Sequence, residues 1–468
     1  MSGKYFLATF GCQMNVYDSN LIGGMLEKKG MLATGEAGEA DVLIVNTCSI
    51  RGGAEDRAYA RIAAMRHYKR RNPDVRIAVI GCMAQNHGEK IPVELDHVDY
   101  VVGPDNYREL EDLIFQGRSA KPKVLTEQNA FENYDGIMAK LDSAVTCHIT
   151  IMRGCNKRCT YCIVPTVRGV ERSREASSIV EEVERAVSEG VKEVCLLGQT
   201  VNSYRTDGDD FASLLRKLNR IDGLKRIRFT SPHPRHFDTN AIRAMAESEK
   251  VCNHVHIPVQ SGSNAMLKKM RRQYTRERFL EIVRELRESI PNVGLTTDII
   301  TGFAGETEAD YLQTLSLVEE VGFDSAFMFQ YSPREGTPAF AEGETLSAAE
   351  KQERHERLVQ LQMGITERNL DAMAGRTEEI LIEDRSSRDA NEWIGKTGCC
   401  KKVIVPHAPG LAKGALVPAR ILSRSGLILR GVAAGFPAAS FASAATEPAD
   451  SAATASASTS ASASVKEG

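Results

Sequence analysis

Apolar residues in this chain fall mostly in short continuous runs, separated by stretches of helical period. Lys4 to Phe10, Asp41 to Val45, Arg76 to Ile80 and Val98 to Val102 read as strands. Tyr17 to Lys29, Ala54 to Arg71 and Tyr107 to Gln116 read as helices, the second stopped by Pro73. Continuous rather than alternating apolar strands imply a parallel sheet covered on both faces. Gly117 to Pro122 reads as a linker.

The same alternation resumes at Val145 to Met152 and continues with strands Glu193 to Leu197, Arg226 to Thr230, His254 to Pro258, Leu295 to Ile300 and Ser325 to Phe329. Helices fall between them: Ser177 to Glu189, Phe211 to Asn219, Thr239 to Ser248, Arg276 to Glu288 and Glu308 to Glu320. Six strands are too few for a closed eight-fold barrel and predict an open (β/α)6 barrel. Right-handed crossovers place every loop that follows a strand on one face. A charged helix, Ser347 to Met373, leads to short strands at Glu378 to Asp384, Lys402 to Val405, Leu416 to Leu422 and Leu427 to Val432. Gly and Pro between them predict a small OB-like β-barrel. The expected class is α/β, with domains at 3–118, 141–371 and 374–434. The Ala/Ser-rich segment 435–468 is expected to be disordered.

Composition narrows the function. A chain of 468 residues has room for two to four domains. The net charge of −3 excludes a global basic field, so any nucleic-acid contact must be local. Such a place exists: Trp393 to Ala434 holds Lys396, Lys401, Lys402, Lys413, Arg420, Arg424 and Arg430 and no Asp or Glu. A small basic β-barrel suggests RNA binding, with Trp393 filling its interior. No apolar run approaches the ~18 residues of a membrane span, and the N-terminus reads as a strand rather than a signal peptide. A cytoplasmic location follows, in which the 11 cysteines are metal ligands or core residues rather than disulfides.

The densest chemical signal is Arg153-Gly154-Cys155-Asn156-Lys157-Arg158-Cys159-Thr160-Tyr161-Cys162. CxxxCxxC is wider than a ferredoxin run and lacks its fourth Cys-Pro. Three thiolates can hold three irons of a cubane and leave the fourth open to a ligand. A zinc knuckle or three unrelated thiols are the alternatives. A second set is positional: Cys12, Cys48 and Cys82 each lie just past the C-terminal end of a predicted strand. Parallel strands bring those ends to one sheet edge, where open α/β sheets bind ligands. A second metal site is expected there, with buried core thiols as the alternative. Cys147, Cys195 and Cys252 fall inside strands and read as core, and Cys399-Cys400 has no evident metal role.

The loops on the shared face of the barrel are Gly198 to Asn202, Ser231 to Arg235, Val259 to Gly262 and Gly302 to Glu306. Their Gly, Gln, Asn and Ser residues suit a ligand with a zwitterionic head, ribose hydroxyls and a base edge. Gly198, Gln199, Asn202, Gln260 and Ser261 are the candidate contacts; ordinary turn chemistry is the alternative. His233 and His256 are candidates that also suit structural roles. Arg174 is a candidate charge near the cysteine loop. The basic run Lys268 to Tyr274 could contact phosphate or simply open a solvated helix.

The CxxxCxxC loop resembles that of the radical S-adenosylmethionine enzymes. Up to about residue 434 the chain resembles the methylthiotransferases, which join a cluster domain, a radical-SAM barrel and a C-terminal TRAM domain. Phe10 to Asn15, Asn46 to Arg51, Gly154 to Lys157 and His256 to Gly262 look like the tRNA branch of that family, which acts on isopentenyl-adenosine. Two places depart from the pattern: Ala304, where the family usually has Pro, and the TRAM segment Trp393 to Lys402.

The resemblance implies that Cys155, Cys159 and Cys162 hold a 4Fe-4S cluster that binds S-adenosylmethionine. It implies that Cys12, Cys48 and Cys82 hold a second, auxiliary 4Fe-4S cluster. The implied reaction adds a methylthio group to carbon 2 of the adenine next to the anticodon. No general base removes that hydrogen near pH 7, so a radical derived from S-adenosylmethionine is needed. The implied partners are tRNA carrying isopentenyl-adenosine, a reductant such as flavodoxin or ferredoxin, and a sulfur donor. The alternatives are the same chemistry on threonylcarbamoyl-adenosine tRNA or a ribosomal-protein aspartate, and a non-enzymatic Fe-S RNA-binding or redox-sensing protein.

Overall fold

The computed structural model of the chain describes residues 3–49, 52–116 and 121–436. Ile50 and Arg51 of the quoted motif, linker residues 117–120 and the tail from residue 437 lie outside them.

The first domain is one parallel sheet. Its strands are β1 (Lys4–Thr9), β2 (Leu32–Ala33), β3 (Val42–Thr47), β4 (Arg76–Gly81), β5 (Tyr100–Val102) and β6 (Lys123–Leu125), in the order β2-β1-β3-β4-β5-β6. Continuous apolar runs make β3 fully buried and β4 nearly so. Two cores cover the faces, one around Leu21, Ile44 and Tyr107, the other around Ile62, Val79 and Met83. The edge strands β2 and β6 escape sequence reading because two or three residues show no period. The helix expected over Ala54 to Arg71 breaks into Gly52–Ala64 and Arg66–Arg71 around the buried Met65. The first helix spans Gln13–Lys28, starting directly after Cys12.

The second domain opens with β7 (Thr146–Thr150). A short antiparallel ribbon, β8 (Met152–Arg153) with β9 (Arg172–Ser173), then brackets the cysteine loop. Next come β10 (Glu193–Leu197), β11 (Arg226–Phe229), β12 (His254–His256), β13 (Gly294–Thr301) and β14 (Ser325–Gln330). They form two parallel three-stranded sheets, β7-β10-β11 and β12-β13-β14, joined by a bridge between Ile227 and Val251. The six expected strands are therefore present as an open wall. Helices bury its outer face through Ile149, Leu196, Ile227, Val255 and Leu295.

Helix Ala348–Asp371 packs along β14 and leads to a closed five-stranded barrel. Its strands are β15 (Thr377–Arg385), β16 (Glu392–Thr397), β17 (Lys402–Pro406), β18 (Leu416–Ser425) and β19 (Ile428–Ala433). Strand β16 was not expected, because Gly395 and Lys396 break its apolar pattern. Trp393 fills the interior as expected, donating from Nε1 to His407 Nδ1 at 3.1 Å, with Arg385 3.7 Å from its ring centroid. The expected basic face is largely neutralised. Lys396, Lys401, Lys413, Arg424 and Arg430 pair with Glu383, Asp324, Asp384, Asp371 and Glu392. Those acids lie outside the Trp393–Ala434 stretch, so its local composition concealed them.

The turn Thr397 to Lys401 docks beneath the open wall. Arg228 donates to the Thr397 and Gly398 carbonyls at 2.7 and 2.9 Å. Arg226 donates to the Lys396 and Glu379 carbonyls at 2.6 and 2.8 Å. Lys401 Nζ meets Asp324 at 2.9 Å, so this lysine is a strut between domains rather than a free surface charge.

Candidate functional site

Strands β1, β3 and β4 end side by side, and Cys12, Cys48 and Cys82 follow those ends. Cys12 precedes helix Gln13–Lys28, and Cys82 opens helix Cys82–His87. A buried amide network locks the strand ends together. Asn15 Nδ2 donates to Asn46 Oδ1 and to the Thr47 carbonyl, both at 2.9 Å. Asn46 Nδ2 donates to the Asn15 carbonyl at 2.8 Å and to Ser19 Oγ at 3.0 Å. Asn15 Oδ1 accepts from the Cys12 amide at 3.4 Å. Gly81 has φ 92°, and a Cβ there would lie 2.5 Å from Asn46 Oδ1, so only glycine turns the chain into Cys82. Burial pushes the Cys82 thiol up to about 12, and the neighbouring Cys48 and Cys12 add to this. Arg168, from the second domain, opposes it by donating from Nε to Cys82 Sγ at 3.1 Å.

The CxxxCxxC loop is held from three sides. Gly154 has φ 74°, and a Cβ there would overlap the Val170 carbonyl. The Cys155 amide donates to the Gly169 carbonyl at 3.0 Å. The Thr160 amide and hydroxyl donate to the Met270 and Lys269 carbonyls, at 3.2 and 3.1 Å. Thr200 Oγ1 lies 3.9 Å from Cys155 Sγ and donates to Glu171 Oε1 at 3.0 Å. Arg272 Nη1 reaches Cys159 Sγ at 3.5 Å. Burial pushes the Cys162 thiol up to about 12, with Cys159 and Cys155 adding to it.

The expected ligand-contact residues separate by what their side chains do. Asn202 is tied at both ends of its amide to the His233 backbone, at 2.8 and 2.9 Å. Ser261 is fully buried and pairs with Thr314 Oγ1 at 3.3 Å. Gly198 sits where a Cβ would press on Met152, at 2.5 Å. Gln260 has φ 69° and joins β13 through its backbone. Gln199 differs: its Oε1 is buried and has no hydrogen-bond partner among the described residues. A cavity of about 420 Å³ opens beside the loop, lined by Lys157, Glu171, Asn202, Tyr204, Arg235 and His236.

His233 Nδ1 accepts from the Arg235 amide, and burial, aided by Arg272, pushes its pKa far down; it is a neutral structural histidine. Arg174, expected near the loop, is instead buried against Glu182 and Asp135, at 2.6 and 2.9 Å. In the Lys268 to Tyr274 run, Lys269 pairs with Glu342, while Arg272 turns inward to Cys159. Arg168 was not singled out from sequence, and Arg272 was read only within the basic run Lys268 to Tyr274, as a contact to phosphate rather than to a thiol. For Arg168 the available signal was the arginine-rich stretch Arg168, Arg172, Arg174 directly after the cysteine loop.

The profile of the Radical SAM superfamily matches residues 149–318, and that of the Uncharacterized protein family UPF0004 matches residues 4–103. A tRNA-2-methylthio-N(6)-dimethylallyladenosine synthase of Clostridium botulinum (strain Okra / Type B1) is 43% identical over 410 residues, covering 86% of this chain and 90% of that one. One from Carboxydothermus hydrogenoformans is 42% identical over 435 residues, covering 92% and 99%. The chain belongs to the tRNA-2-methylthio-N(6)-dimethylallyladenosine synthase family.

This synthase-family chain shares its architecture with more distant proteins. The radical S-adenosylmethionine methyltransferase TsrM of Kitasatospora setae superposes with a TM-score of 0.56 at 17% identity, over 73% of this chain and 74% of that one. The cobalamin-dependent S-adenosylmethionine radical enzyme OxsB gives 0.52 at 13% identity, over 76% and 56%. These likenesses concern the fold.

The synthase family's cofactors can be tested against the donors present. Among the described residues no group of three or more Cys, His, Asp or Glu side chains is set closely enough to cage a single metal ion, as a zinc knuckle would require. A four-iron cluster spreads its thiolates over separate irons and needs no such cage. Three thiols with a guanidinium donor beside them, at each site, suit an anionic, thiolate-ligated cluster. The orphaned Gln199 oxygen suits a ligand that carries a donor, such as an ammonium group.

Proposed function

We propose that this chain methylthiolates carbon 2 of the isopentenyl-adenosine beside the anticodon of tRNA, in the cytoplasm. Cys155, Cys159 and Cys162 hold the 4Fe-4S cluster that receives S-adenosylmethionine, and Cys12, Cys48 and Cys82 hold the auxiliary cluster. The observation that carries this reading is the pair of three-thiol sites, each with two of its thiols buried and one partly so, in a chain 42–44% identical to named synthases over most of its length. When bound, the clusters and S-adenosylmethionine supply the electron, the radical, the methyl group and the sulfur.

The chain's own residues supply position and insulation. The Gly154 turn and the Thr160 anchors fix the loop that carries Cys155, Cys159 and Cys162. Asn15 and Asn46 hold the other three at the sheet edge. Gln199 offers a carbonyl oxygen to the amino end of S-adenosylmethionine. The small barrel meets RNA through the cations that remain after its ion pairs are made, Lys402 and Arg420 among them. Flavodoxin or ferredoxin serves as reductant, and a separate donor replenishes sulfur.

The test is anaerobic reconstitution with iron, sulfide, reductant and S-adenosylmethionine. tRNA carrying isopentenyl-adenosine should gain the mass of a methylthio group in place of hydrogen, and 5′-deoxyadenosine should appear. Loaded clusters, bound RNA and no cleavage of S-adenosylmethionine would instead make this a non-enzymatic iron–sulfur RNA-binding protein.

A further inference from the structure

Between the two three-cysteine sites lies a carboxylate that belongs to neither. Asp18, on helix Gln13–Lys28, is wholly buried. Its Oδ2 accepts from Arg168 Nη1 at 2.7 Å and from the Tyr107 hydroxyl at 3.2 Å. Its Oδ1 accepts from Arg153 Nη2. These two arginines bracket the CxxxCxxC loop: Arg153 immediately precedes Gly154, and Arg168 ends the helix Val164–Arg168 that follows Cys162. Arg153 is further fixed by the Tyr134 ring, 4.6 Å from its guanidinium carbon, and by the Pro104 carbonyl. Arg168 passes on to the other site, with Nε 3.1 Å from Cys82 Sγ. One unbroken path thus runs from the loop through Arg153, Asp18 and Arg168 to Cys82.

The charge on this path does not balance. One carboxylate faces two guanidinium groups, leaving a buried excess of one positive charge. A buried uncompensated charge is costly and calls for an anion nearby. Arg168 Nη2 is also buried without a hydrogen-bond partner among the described residues. The excess charge is shared by the two arginines, and Arg153 Nε is likewise buried without a partner among the described residues; of the two, Arg168 is the one that touches Cys82.

We propose that Arg168, held in place by Asp18, is a positioning residue that sets the reduction potential of the cluster bound through Cys82. The proposal rests on the assignment of Cys12, Cys48 and Cys82 as cluster ligands. One-electron reduction adds one negative charge to a cluster. A guanidinium donating to a ligand sulfur stabilises that charge and raises the potential, while the Asp18 carboxylate opposes it. The two residues therefore act with opposite signs, which a purely structural role would not produce.

The experiment is a mediated dithionite titration of the anaerobically reconstituted full-length protein, followed by electron paramagnetic resonance. A Cys155→Ala/Cys159→Ala/Cys162→Ala variant, also titrated, identifies the auxiliary transition. Arg168→Gln should lower that midpoint, so that the reduced-to-oxidised ratio at the wild-type midpoint falls about tenfold, ~59 mV for one electron. The loop-site transition should stay in place. Arg168→Lys keeps the charge and should shift the midpoint less; it also answers the question if the Gln variant does not fold. Asp18→Asn should shift it the other way. An unmoved auxiliary transition in a fully iron-loaded Arg168 variant would overturn the proposal, as would both transitions moving together. Retention of only one cluster by the wild type would overturn the ligand assignment beneath it, and the proposal with it.

Discussion

Cys155, Cys159 and Cys162 lie within eight residues of sequence, whereas Cys12, Cys48 and Cys82 span seventy-one. The first set shares one loop, so its geometry depends on what pins that loop: Gly154, the Thr160 bonds and Arg272. The second set shares no local segment. Its geometry depends on three strands ending level with one another, and on the Asn15–Asn46 network that fastens those ends. A site made by a loop is damaged by local changes. A site made by a sheet is damaged by anything that shifts a strand. Both recruit a buried arginine from outside, Arg272 for one and Arg168 for the other.

The sharpest way to break this comparison is iron analysis. On the proposed ligand assignment, Cys12→Ala and Cys155→Ala should each reduce the iron content from about eight to about four, one cubane apiece. Either variant losing all iron would mean that the two sites do not load independently.

Backbone substitutions come next. Gly154→Ala and Gly81→Ala each force a side chain into left-handed backbone against filled space. Each should cost about 1–3 kcal/mol or more. Iron should be lost from the loop site in the first variant and from the sheet-edge site in the second. Equal loss at both sites in either variant would contradict their separation.

Asn46→Ala tests the device that only the sheet-edge site possesses. It removes the acceptor of one Asn15 Nδ2 hydrogen and the donor to the Asn15 carbonyl in a dry environment, leaving Asn15 Nδ2 only its bond to Thr47, and should lower the unfolding free energy by about 1–3 kcal/mol in denaturant titration. S-adenosylmethionine cleavage, which the proposed function assigns to the loop site, should fall far less than methylthiolation. Proportionate loss of both activities would count against a role confined to one site.

The smallest expected effect concerns thiols outside both sites. Burial pushes Cys195 up to about 12 and Cys252 up to about 11. The unfolded chain ionises these thiols from about pH 9, while the native chain retains their protons. Their contribution is thus fully present below pH 9 and declines as pH rises through the folded values. The decline is at most about 1.4 kcal/mol per thiol per pH unit. A Cys195→Ala/Cys252→Ala variant should show a shallower loss of stability between pH 9 and 10.

Much of this organisation was visible in the chain before its structure. The CxxxCxxC run announced itself by spacing. The sheet-edge thiols were visible because each follows a continuous apolar run, and such runs end together in a parallel sheet. What sequence concealed was pairing across distance. Asp18 looks like an ordinary polar position on an amphipathic helix until Arg153 and Arg168 arrive from the second domain. Arg174 lies in the same basic stretch as Arg168, yet points to Glu182 and Asp135. The lysines of the small barrel looked unopposed because their acids come from other segments. Strands β2 and β6 were too short to carry a period, and β16 was hidden by Gly395 and Lys396.

The hydrogen bonds from Arg226 and Arg228 to the small barrel go to main-chain carbonyls, those of Glu379, Lys396, Thr397 and Gly398, with the Glu379 carboxylate 3.5 Å from Arg226 as the one side-chain partner. A handshake with the peptide backbone is blind to side-chain identity. Positions of the turn that meet the joint through their carbonyls alone can therefore drift in sequence, provided the path is kept, while Lys401, which braces Asp324, and Gly398, which has no room for a Cβ, cannot. That tolerance lies at the very seam where two domains must stay in register.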